Sequence, residues 1–191
     1  CGALDKVLVY QQIGYECYAV DDFQDAWHQD QNNLKPVVTL AQARGIQVHS
    51  QQVPWEAPWE CGTFDVVTIV NVIEHLHESP RYVLNFAGEY LKPGGLLIVV
   101  MPNSVNLRKR ISVLFGNSNY TPVRGLYEFE GLWRGHTREY TLNETKQIVD
   151  WTGFQIIMSD TFHGLLTSRL RKKGVRLLFR FMCILVPRYR D

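Results

Sequence analysis

The stretch from Phe64 to Asn103, FDVVTIVNVIEHLHESPRYVLNFAGEYLKPGGLLIVVMPN, contains the clearest structural signal in the chain. Val66 to Val70 is a nearly continuous β-branched run, typical of a strand that is covered on both faces. Polar residues follow it directly, among them Glu74 and His75. Because open parallel sheets bind their ligands beyond the carboxyl ends of the strands, these two residues are the first candidates for a functional site.

A predicted helix separates this strand from a second one. Ser79 can cap the helix, and Pro80 suits its first position, where no amide donor is needed. Apolar residues then recur at offsets of three and four until Gly94 and Gly95 end the helix. Leu96 to Val100 is the next predicted strand, and a strand, helix, strand unit of this length makes the two strands parallel. The apolar stripe of the helix consists of Val83, Leu84, Ala87, Tyr90 and Leu91.

The alternation of helices and strands extends towards both ends of the chain, which predicts an α/β fold with a doubly wound, mostly parallel sheet. Turn residues, caps and apolar periodicity place these further elements. They are a helix over 3–12, a strand over 16–20, a helix from Pro36 to Gly45, a strand over 46–49, a helix over 142–151 and a strand over 154–158.

A longer irregular insert, residues 104–138, precedes the helix over 142–151. Inserts of this length are usually lids or binding loops. The helix behind it has a clear start, because Thr141 and Glu144 have capping-box spacing. The predicted organisation is therefore a core over residues 1–160 that carries the insert, followed by a basic segment over residues 161–191.

The composition fits one domain and argues against several classes of protein. With 191 residues, of which 46% are hydrophobic, the chain can bury one sizeable core. No apolar run approaches the roughly 20 residues that span a bilayer, and no signal peptide is recognisable, so we expect a cytoplasmic location. The four cysteines lack CxxC spacing, which argues against a zinc site and a disulfide framework. We therefore expect no metal.

Charge is unevenly distributed along the chain. The net charge is +1, yet residues 161–191 hold eight Lys or Arg and one acid. From Leu166 to Val186 the apolar and basic residues fall on opposite sides of a helix, which is typical of a core helix with a solvated basic side. The alternative is peripheral contact of this helix with the inner face of an anionic membrane. Nucleic acid is not an expected partner, because basic residues and aromatics do not alternate around the crevice.

Three segments resemble class I S-adenosylmethionine-dependent methyltransferases: FDVVTIVNVIEHL, LKPGGLLIVVMPN and GHTREYTLNETKQIVDWTGFQII. The resemblance covers residues 1–158 and implies a Rossmann-like sheet from which the first and last strands are absent in this chain. It implies S-adenosylmethionine as the cofactor. It also implies methyl transfer to a hydroxyl or amine of a small-molecule, lipid-linked or glycan acceptor.

The resemblance further implies which residues bind the cofactor. Gly2 matches a glycine-rich turn that lets the backbone approach the cofactor, and Leu4 stands where a further glycine is common. Asp21 is expected to accept hydrogen bonds from both ribose hydroxyls, since a carboxylate accepts two at once, and Asp22 is its rival. The other implied cofactor contacts are Asn71 and Val72.

The implied chemistry is an in-line displacement at a sulfonium methyl group, so the enzyme mainly has to align the nucleophile with the breaking bond. A base is needed only for a hydroxyl nucleophile. His75 and His136 are equal candidates, because a free imidazole titrates near pH 6.5. Glu74 could orient either ring. The alternative is that Glu74 and His75 cap the next helix and that His136 is a loop residue bonded to backbone.

Three functional interpretations follow from the sequence. The first is an active methyltransferase. The second is a catalytically silent relative that keeps the fold as a binding module, which the incomplete glycine turn favours. The third is an NAD-dependent oxidoreductase of similar topology, which is disfavoured because no GxGxxG follows a strand.

Overall fold

The computed structural model describes residues 2–50 and 55–161. In that part of the chain helices and strands alternate along most of the length. In order they are α1 (Asp5–Gln12), β1 (Tyr18–Asp21), α2 (Ala26–Gln29), α3 (Gln31–Ala43), β2 (Gln47–Ser50), β3 (Phe64–Val70), a 3-10 turn (Ile73–His75), α4 (Arg81–Tyr90), β4 (Leu91–Val100), α5 (Leu107–Leu114), α6 (Val123–Tyr127) and α7 (Leu142–Trp151).

The described residues fall into two compact units. The first comprises residues 2–50, 55–67 and 85–97, and the second comprises residues 68–84 and 98–161. None of the helices described is both long and apolar enough to cross a bilayer. The predicted amphipathic basic helix over residues 166–186 lies outside the described residues, and the predicted boundary at residue 160 stays a prediction.

Strands β1 and β2 of the first unit form a parallel pair, with Tyr18 opposite Gln47 and Asp21 opposite Ser50. The first unit also has a buried apolar cluster. Its residues come from β1, from α3 and from the segments that directly precede α1 and β2. Its members are Leu4, Ala19, Val37, Ala41 and Ile46. Residues 2–50 thus form a small parallel α/β unit, as the alternation predicts.

Strands β3 and β4 form a second pair, joined through α4. Four of the five residues of the predicted stripe, Val83, Leu84, Ala87 and Tyr90, lie in α4 and are at most 8% exposed, which confirms the helical periodicity. The fifth, Leu91, is also buried but lies in β4. Strand β4 begins at Leu91, earlier than predicted, and therefore includes Gly95. A Cβ atom at Gly95 would stand 2.9 Å from both the Leu91 side chain and the Lys92 carbonyl oxygen, so this position requires glycine.

The α/β class with parallel strands is confirmed, and the sheet is partial. Among the described residues the strands form two separate pairs, β1 with β2 and β3 with β4. The prediction that both faces of β3 are covered is wrong within the described part, because Val66 is 38% exposed.

Three element predictions are also wrong. Helix α3 begins at Gln31 instead of Pro36, because Asp30 caps it by accepting the Asn32 amide, and Pro36 lies inside the helix. The insert over 104–138 contains α5 and α6 and is not wholly irregular. Residues 154–158 form no strand; Ile157 is 76% exposed there, and no neighbouring strand of the described residues bonds to this segment.

Candidate active site

Gly2 and Asp21, two predicted cofactor contacts, meet in the first unit. The Gly2 amide donates a 2.9 Å hydrogen bond to the Asp21 carboxylate, which also accepts the Phe23 amide at 2.9 Å. Asp22 accepts the Gln24 amide instead, at 3.0 Å. Of the two rival acids, Asp21 is therefore the one that the structure joins to the glycine turn.

His28 also contacts the glycine turn, a contact that the sequence did not reveal. Its side chain is only 2% exposed. The Nδ1 atom contacts the Asp25 carboxylate, and the Nε2 atom lies 3.2 Å from the Gly2 carbonyl oxygen. Through these two contacts the His28 ring links helix α2 to the turn.

Leu4 stands where the resemblance expects a glycine, and its backbone has the conformation that a glycine would favour. Its φ angle is 62°, in the left-handed region, which is uncommon for a residue with a side chain. The side chain is fully buried in the apolar cluster of the first unit. Burial of this side chain offsets the backbone strain, so the turn keeps its shape without the second glycine.

The second unit contains the remaining predicted site residues. Asn71 directly follows strand β3; its φ angle of 53° is left-handed, and its backbone amide donates to the Val100 carbonyl oxygen at 2.9 Å. The chain then makes the 3-10 turn over Ile73–His75. That turn directs Glu74 inward, where it is fully buried, and leaves the His75 side chain 40% exposed.

The GHTREY segment is held against this turn by hydrogen bonds across more than 55 positions of sequence. The amide and the hydroxyl of Thr137 both donate to the Glu74 carbonyl oxygen, and the hydroxyl also contacts the Leu76 carbonyl oxygen at 2.7 Å. His77 bonds to the Trp133 carbonyl oxygen. These bonds bring His136 to His75, with ring centroids 4.8 Å apart and the rings nearly perpendicular.

Both imidazoles of this cluster have their Nδ1 atoms engaged. Nδ1 of His75 lies 2.9 Å from the Arg134 carbonyl oxygen, and Nδ1 of His136 lies 2.8 Å from the Glu139 carboxylate. Since both partners only accept, each Nδ1 carries the proton and each Nε2 is left with the lone pair in the neutral ring. Glu139 is anchored in turn by Lys109.

Glu74 is the third member of the cluster. Both of its carboxylate oxygens are buried and have no hydrogen-bond partner among the described residues. Its Oε1 atom lies 4.0 Å from Nε2 of His75. One donor atom from each of Glu74, His75 and His136 lies within 4.8 Å of the other two. We refer to these three residues as the acceptor cluster.

Burial sets the electrostatics of the acceptor cluster. It raises the pKa of Glu74 above the ordinary carboxyl value, against the opposing effects of the residue's own backbone amide and of the neighbouring His75. It lowers the pKa of His136, and the charges of His75 and Lys109 lower it further. The His136 ring is therefore neutral near pH 7, with an available lone pair.

The structure thus brings together the three predicted catalytic residues in one unit, and Gly2 with Asp21 in the other. Val72 forms the start of the 3-10 turn beside Asn71. Sequence reasoning missed the supporting residues, which are His28, Lys109, Thr137 and Glu139. The HTRE string was the available signal, since it puts a hydroxyl and a carboxylate within three residues of His136.

Comparison with known proteins gives a consistent family. The methyltransferase-domain family matches residues 2–159. A ubiquinone biosynthesis O-methyltransferase from Rickettsia felis is 31% identical over 101 residues, which are 53% of this chain and 37% of that protein. A probable S-adenosylmethionine-dependent methyltransferase from Mycobacterium tuberculosis is 31% identical over 122 residues, 63% of this chain and 37% of that protein.

Solved structures agree on the fold. The YcgJ protein from Bacillus subtilis superposes with a TM-score of 0.52 at 18% identity, covering 79% of this chain and 57% of that one. A protein from Pyrococcus horikoshii gives a TM-score of 0.51 at 19% identity, covering 79% and 68%. The matched region spans little more than a third of the curated relatives, 37% of each of the two named above. On the match over residues 2–159, the chain belongs to the methyltransferase-domain family.

Proposed function

We propose that the protein transfers a methyl group from S-adenosylmethionine to a hydroxyl, or an amine, of a small-molecule acceptor. The observation that carries the proposal is the acceptor cluster, in which two imidazoles and a buried carboxylate meet directly after a strand of a methyltransferase domain. The name of the Rickettsia relative, an O-methyltransferase, favours an oxygen nucleophile.

The residues of the first unit fit the cofactor. The φ angle of Gly2 is 54°, and no atom lies within 4 Å of the place where a Cβ atom would stand, so the backbone is open to a ligand. The Asp21 carboxylate beside it accepts the amides of Gly2 and Phe23, and a carboxylate suits ribose hydroxyls because it accepts several hydrogen bonds at once. We assign these two residues to the nucleoside part of the cofactor, and Asn71 with Val72 to its methionine part.

S-adenosylmethionine supplies an electrophilic methyl group when bound. In the proposed reaction the acceptor oxygen bonds to the methyl carbon while the carbon–sulfur bond breaks and its electrons pass to sulfur, which gives S-adenosylhomocysteine. The acceptor cluster holds the oxygen in line with the methyl carbon, an alignment that can lower a barrier by several kcal/mol, about 7–11 at its limit. The hydroxyl proton passes to a lone pair on Nε2 of His75 or His136.

We also propose which class of acceptor the protein methylates. We assign selectivity to the lid insert over 104–138, which carries Arg108, Arg110, Arg124 and Arg134 and so suits an acidic or phosphorylated acceptor. A lipid-linked or glycan acceptor at a cytoplasmic membrane face is supported by the basic segment over 161–191. Flotation with anionic vesicles at low salt tests this, and absence of binding removes the membrane acceptor.

The experiment is methyl transfer from radiolabelled S-adenosylmethionine to a panel of phenols, lipid-linked hydroxyls, glycans and amines, preceded by calorimetric titration with the cofactor. Binding with a stoichiometry of one and transfer to one acceptor class are expected. Transfer to amines but not to hydroxyls would contradict the oxygen nucleophile. Absence of cofactor binding would contradict the function as a whole.

One observation favours the silent binding module as the second candidate. The Asp21 carboxylate is already engaged with the amides of Gly2 and Phe23, and Leu4 replaces a glycine in the turn. A turn of this kind could be stable without a cofactor. Cofactor binding without transfer to any acceptor of the panel would favour this candidate.

A further inference from the structure

The acceptor cluster has the donor set of a divalent transition-metal site. Two imidazoles and one carboxylate, with a position left open, are the protein ligands of many catalytic zinc and non-haem iron centres. We propose that Glu74, His75 and His136 bind one divalent transition-metal ion, such as Zn²⁺. The binding of the ion does not depend on the proposed methyl transfer, but its use in catalysis does.

The surroundings of the buried Glu74 carboxylate favour a bound cation. A buried carboxylate normally has hydrogen-bond partners, because removing it from water without them is costly. Both oxygens of Glu74 lack a partner among the described residues, although the side chain is fully buried. Protonation would remove the charge but would leave a buried O–H without an acceptor. A cation would satisfy the carboxylate fully.

The orientation of the two imidazoles also favours a bound metal ion. Metal-binding histidines characteristically donate their other ring N–H to a carbonyl or carboxylate, which fixes the tautomer and the ring. His75 does so to the Arg134 carbonyl oxygen and His136 does so to Glu139. The remaining Nε2 lone pairs and the Glu74 carboxyl oxygens together form a donor set that a cation can bind.

Distance and charge are compatible with an ion. One donor atom from each of Glu74, His75 and His136 lies within 4.8 Å of the other two, and Nε2 of His75 lies 4.0 Å from Oε1 of Glu74. Neighbouring ligands of tetrahedral zinc stand roughly 3.3 Å apart, so the donors must close by up to about 1.5 Å. The His75 and His136 side chains are 40% and 32% exposed, which leaves room for this adjustment. Lys109 is neutralised by Glu139, so Glu74 leaves a net negative charge at the site.

The ligand chemistry also selects the ion. Mg²⁺ and Ca²⁺ prefer oxygen ligands throughout, whereas imidazole suits Zn²⁺, Fe²⁺ and related ions. The other group of this kind, Asp21, Asp25 and His28, is less suitable. Both ring nitrogens of His28 already have partners, and Asp21 is bonded to two amides. We therefore place the ion only in the acceptor cluster.

If the proposed methyl transfer holds, the ion would bind the acceptor oxygen at its open position and lower the pKa of the hydroxyl. The proton would then leave to solvent, and the imidazoles would serve as ligands instead of bases. The partial exposure of the two rings leaves room for such an oxygen.

The experiment is calorimetric titration of the chelator-treated protein with Zn²⁺, with Mg²⁺ in parallel and without S-adenosylmethionine. One equivalent of Zn²⁺ should bind, Mg²⁺ should not compete, and Zn²⁺ should raise the melting temperature. The ligand variants Glu74→Gln and His136→Gln should weaken Zn²⁺ binding at least 10-fold. Glu139→Gln, which acts through His136, should weaken it by about 10–100-fold. His49→Gln, which alters a histidine of the other unit, is the matched control and should not weaken it.

Undiminished Zn²⁺ affinity in the Glu74→Gln and His136→Gln variants would overturn the site, as would absence of Zn²⁺ binding to a protein whose circular dichroism shows it folded. Cofactor titration of the same chelated sample separates this result from the proposed function. If the cofactor binds and Zn²⁺ does not, the proposed methyl transfer is retained and the proposed metal site is rejected. If Zn²⁺ binds and the cofactor does not, only the proposed methyl transfer is rejected.

Discussion

The backbone amide of Thr137 donates a 2.7 Å hydrogen bond to the carbonyl oxygen of Glu74, a residue 63 positions earlier in the chain. The Thr137 hydroxyl adds a second bond to the same oxygen at 3.1 Å. Glu74 and His136 therefore reach one site because of a backbone contact between two segments. The chemistry of the acceptor cluster depends on this contact.

Replacing Thr137 by valine should loosen the acceptor cluster. The change keeps the shape of the side chain but removes the hydroxyl, which also contacts the Leu76 carbonyl oxygen at 2.7 Å. We expect a loss of about 1–2 kcal/mol in the free energy of unfolding, measured by urea denaturation, because the single hydroxyl proton shared by these two carbonyl oxygens is lost. Thr137→Ser keeps the hydroxyl and should lose less than half as much. Equal losses in the two variants would contradict a role for the hydroxyl.

Glu74→Gln should stabilise the protein when metal is withheld. The wild-type carboxylate is buried and has no hydrogen-bond partner in the described residues, and an amide of the same shape carries no charge to desolvate. In the presence of chelator we expect the free energy of unfolding to rise by about 1 kcal/mol. Glu89→Gln, at an exposed position of α4, should change it little. A clear loss of stability in Glu74→Gln would show that the carboxylate has a structural partner.

Asp21→Asn and Asp22→Asn should differ in cofactor affinity. Asp21 is joined to Gly2, whereas Asp22 accepts the Gln24 amide at the surface. Hydrogen bonds to a charged group contribute about 1.5–3 kcal/mol, so Asp21→Asn should weaken S-adenosylmethionine binding by at least about 10-fold. Asp22→Asn should leave it almost unchanged. Calorimetry measures the cofactor affinity of both variants. A larger loss of affinity in Asp22→Asn would assign the ribose contact to Asp22 instead.

The strongest predictions from sequence came from residues whose structure is set by their close neighbours. The apolar stripe of α4 follows from its spacing, and the four predicted members that lie in the helix are buried. The capping box of α7 follows from Thr141 and Glu144, which exchange hydrogen bonds at 3.1 and 2.8 Å. Such features depend on the helix itself, so one sequence is enough to predict them.

Features that depend on distant partners were not predictable in this way. A strand needs a neighbour, so the apolar residues 154–158 could not by themselves determine one. The pairing of His75 with His136 depends on Thr137, and the contact of His28 with Gly2 joins residues that are 26 positions apart in the sequence. Family resemblance placed His75 and His136 near the same site, but their supporting residues became visible only in three dimensions.

Gly135→Ala should disturb the acceptor cluster through Trp133. A Cβ atom at Gly135 would stand 2.1 Å from the Trp133 ring, whose indole N–H donates to the His136 carbonyl oxygen at 3.2 Å. The ring must move, so we expect lower thermal stability and slower methyl transfer. Gly125→Ala, inside α6 with no atom within 4 Å of the new Cβ, is the control. It should be neutral or stabilising by about 0.5–1 kcal/mol, because alanine favours the helix.

The stability that Glu144 contributes should depend on pH. Its hydrogen bonds with the Thr141 amide and hydroxyl and the nearby Arg138 guanidinium hold the pKa of this carboxyl below its ordinary value. A carboxyl with a lowered pKa in the folded state stabilises the protein above the unfolded pKa, which is about 4.3, and loses that contribution as the pH falls through the folded pKa. Wild type should therefore exceed Glu144→Gln in stability at pH 7, and the difference should shrink below about pH 4.3.

The size of that difference should be modest, about 0.5 kcal/mol, because the Glu144 and Arg138 side chains are 38% and 63% exposed and solvent screens them. Chemical denaturation of both proteins between pH 3 and pH 7 measures it. Arg138→Gln is the matched variant. It removes the ion pair but keeps the Thr141 amide, the largest cause of the lowered pKa, so it should reduce the pH-dependent difference without abolishing it. A difference that grows as the pH falls would contradict the capping role of the ionised carboxylate.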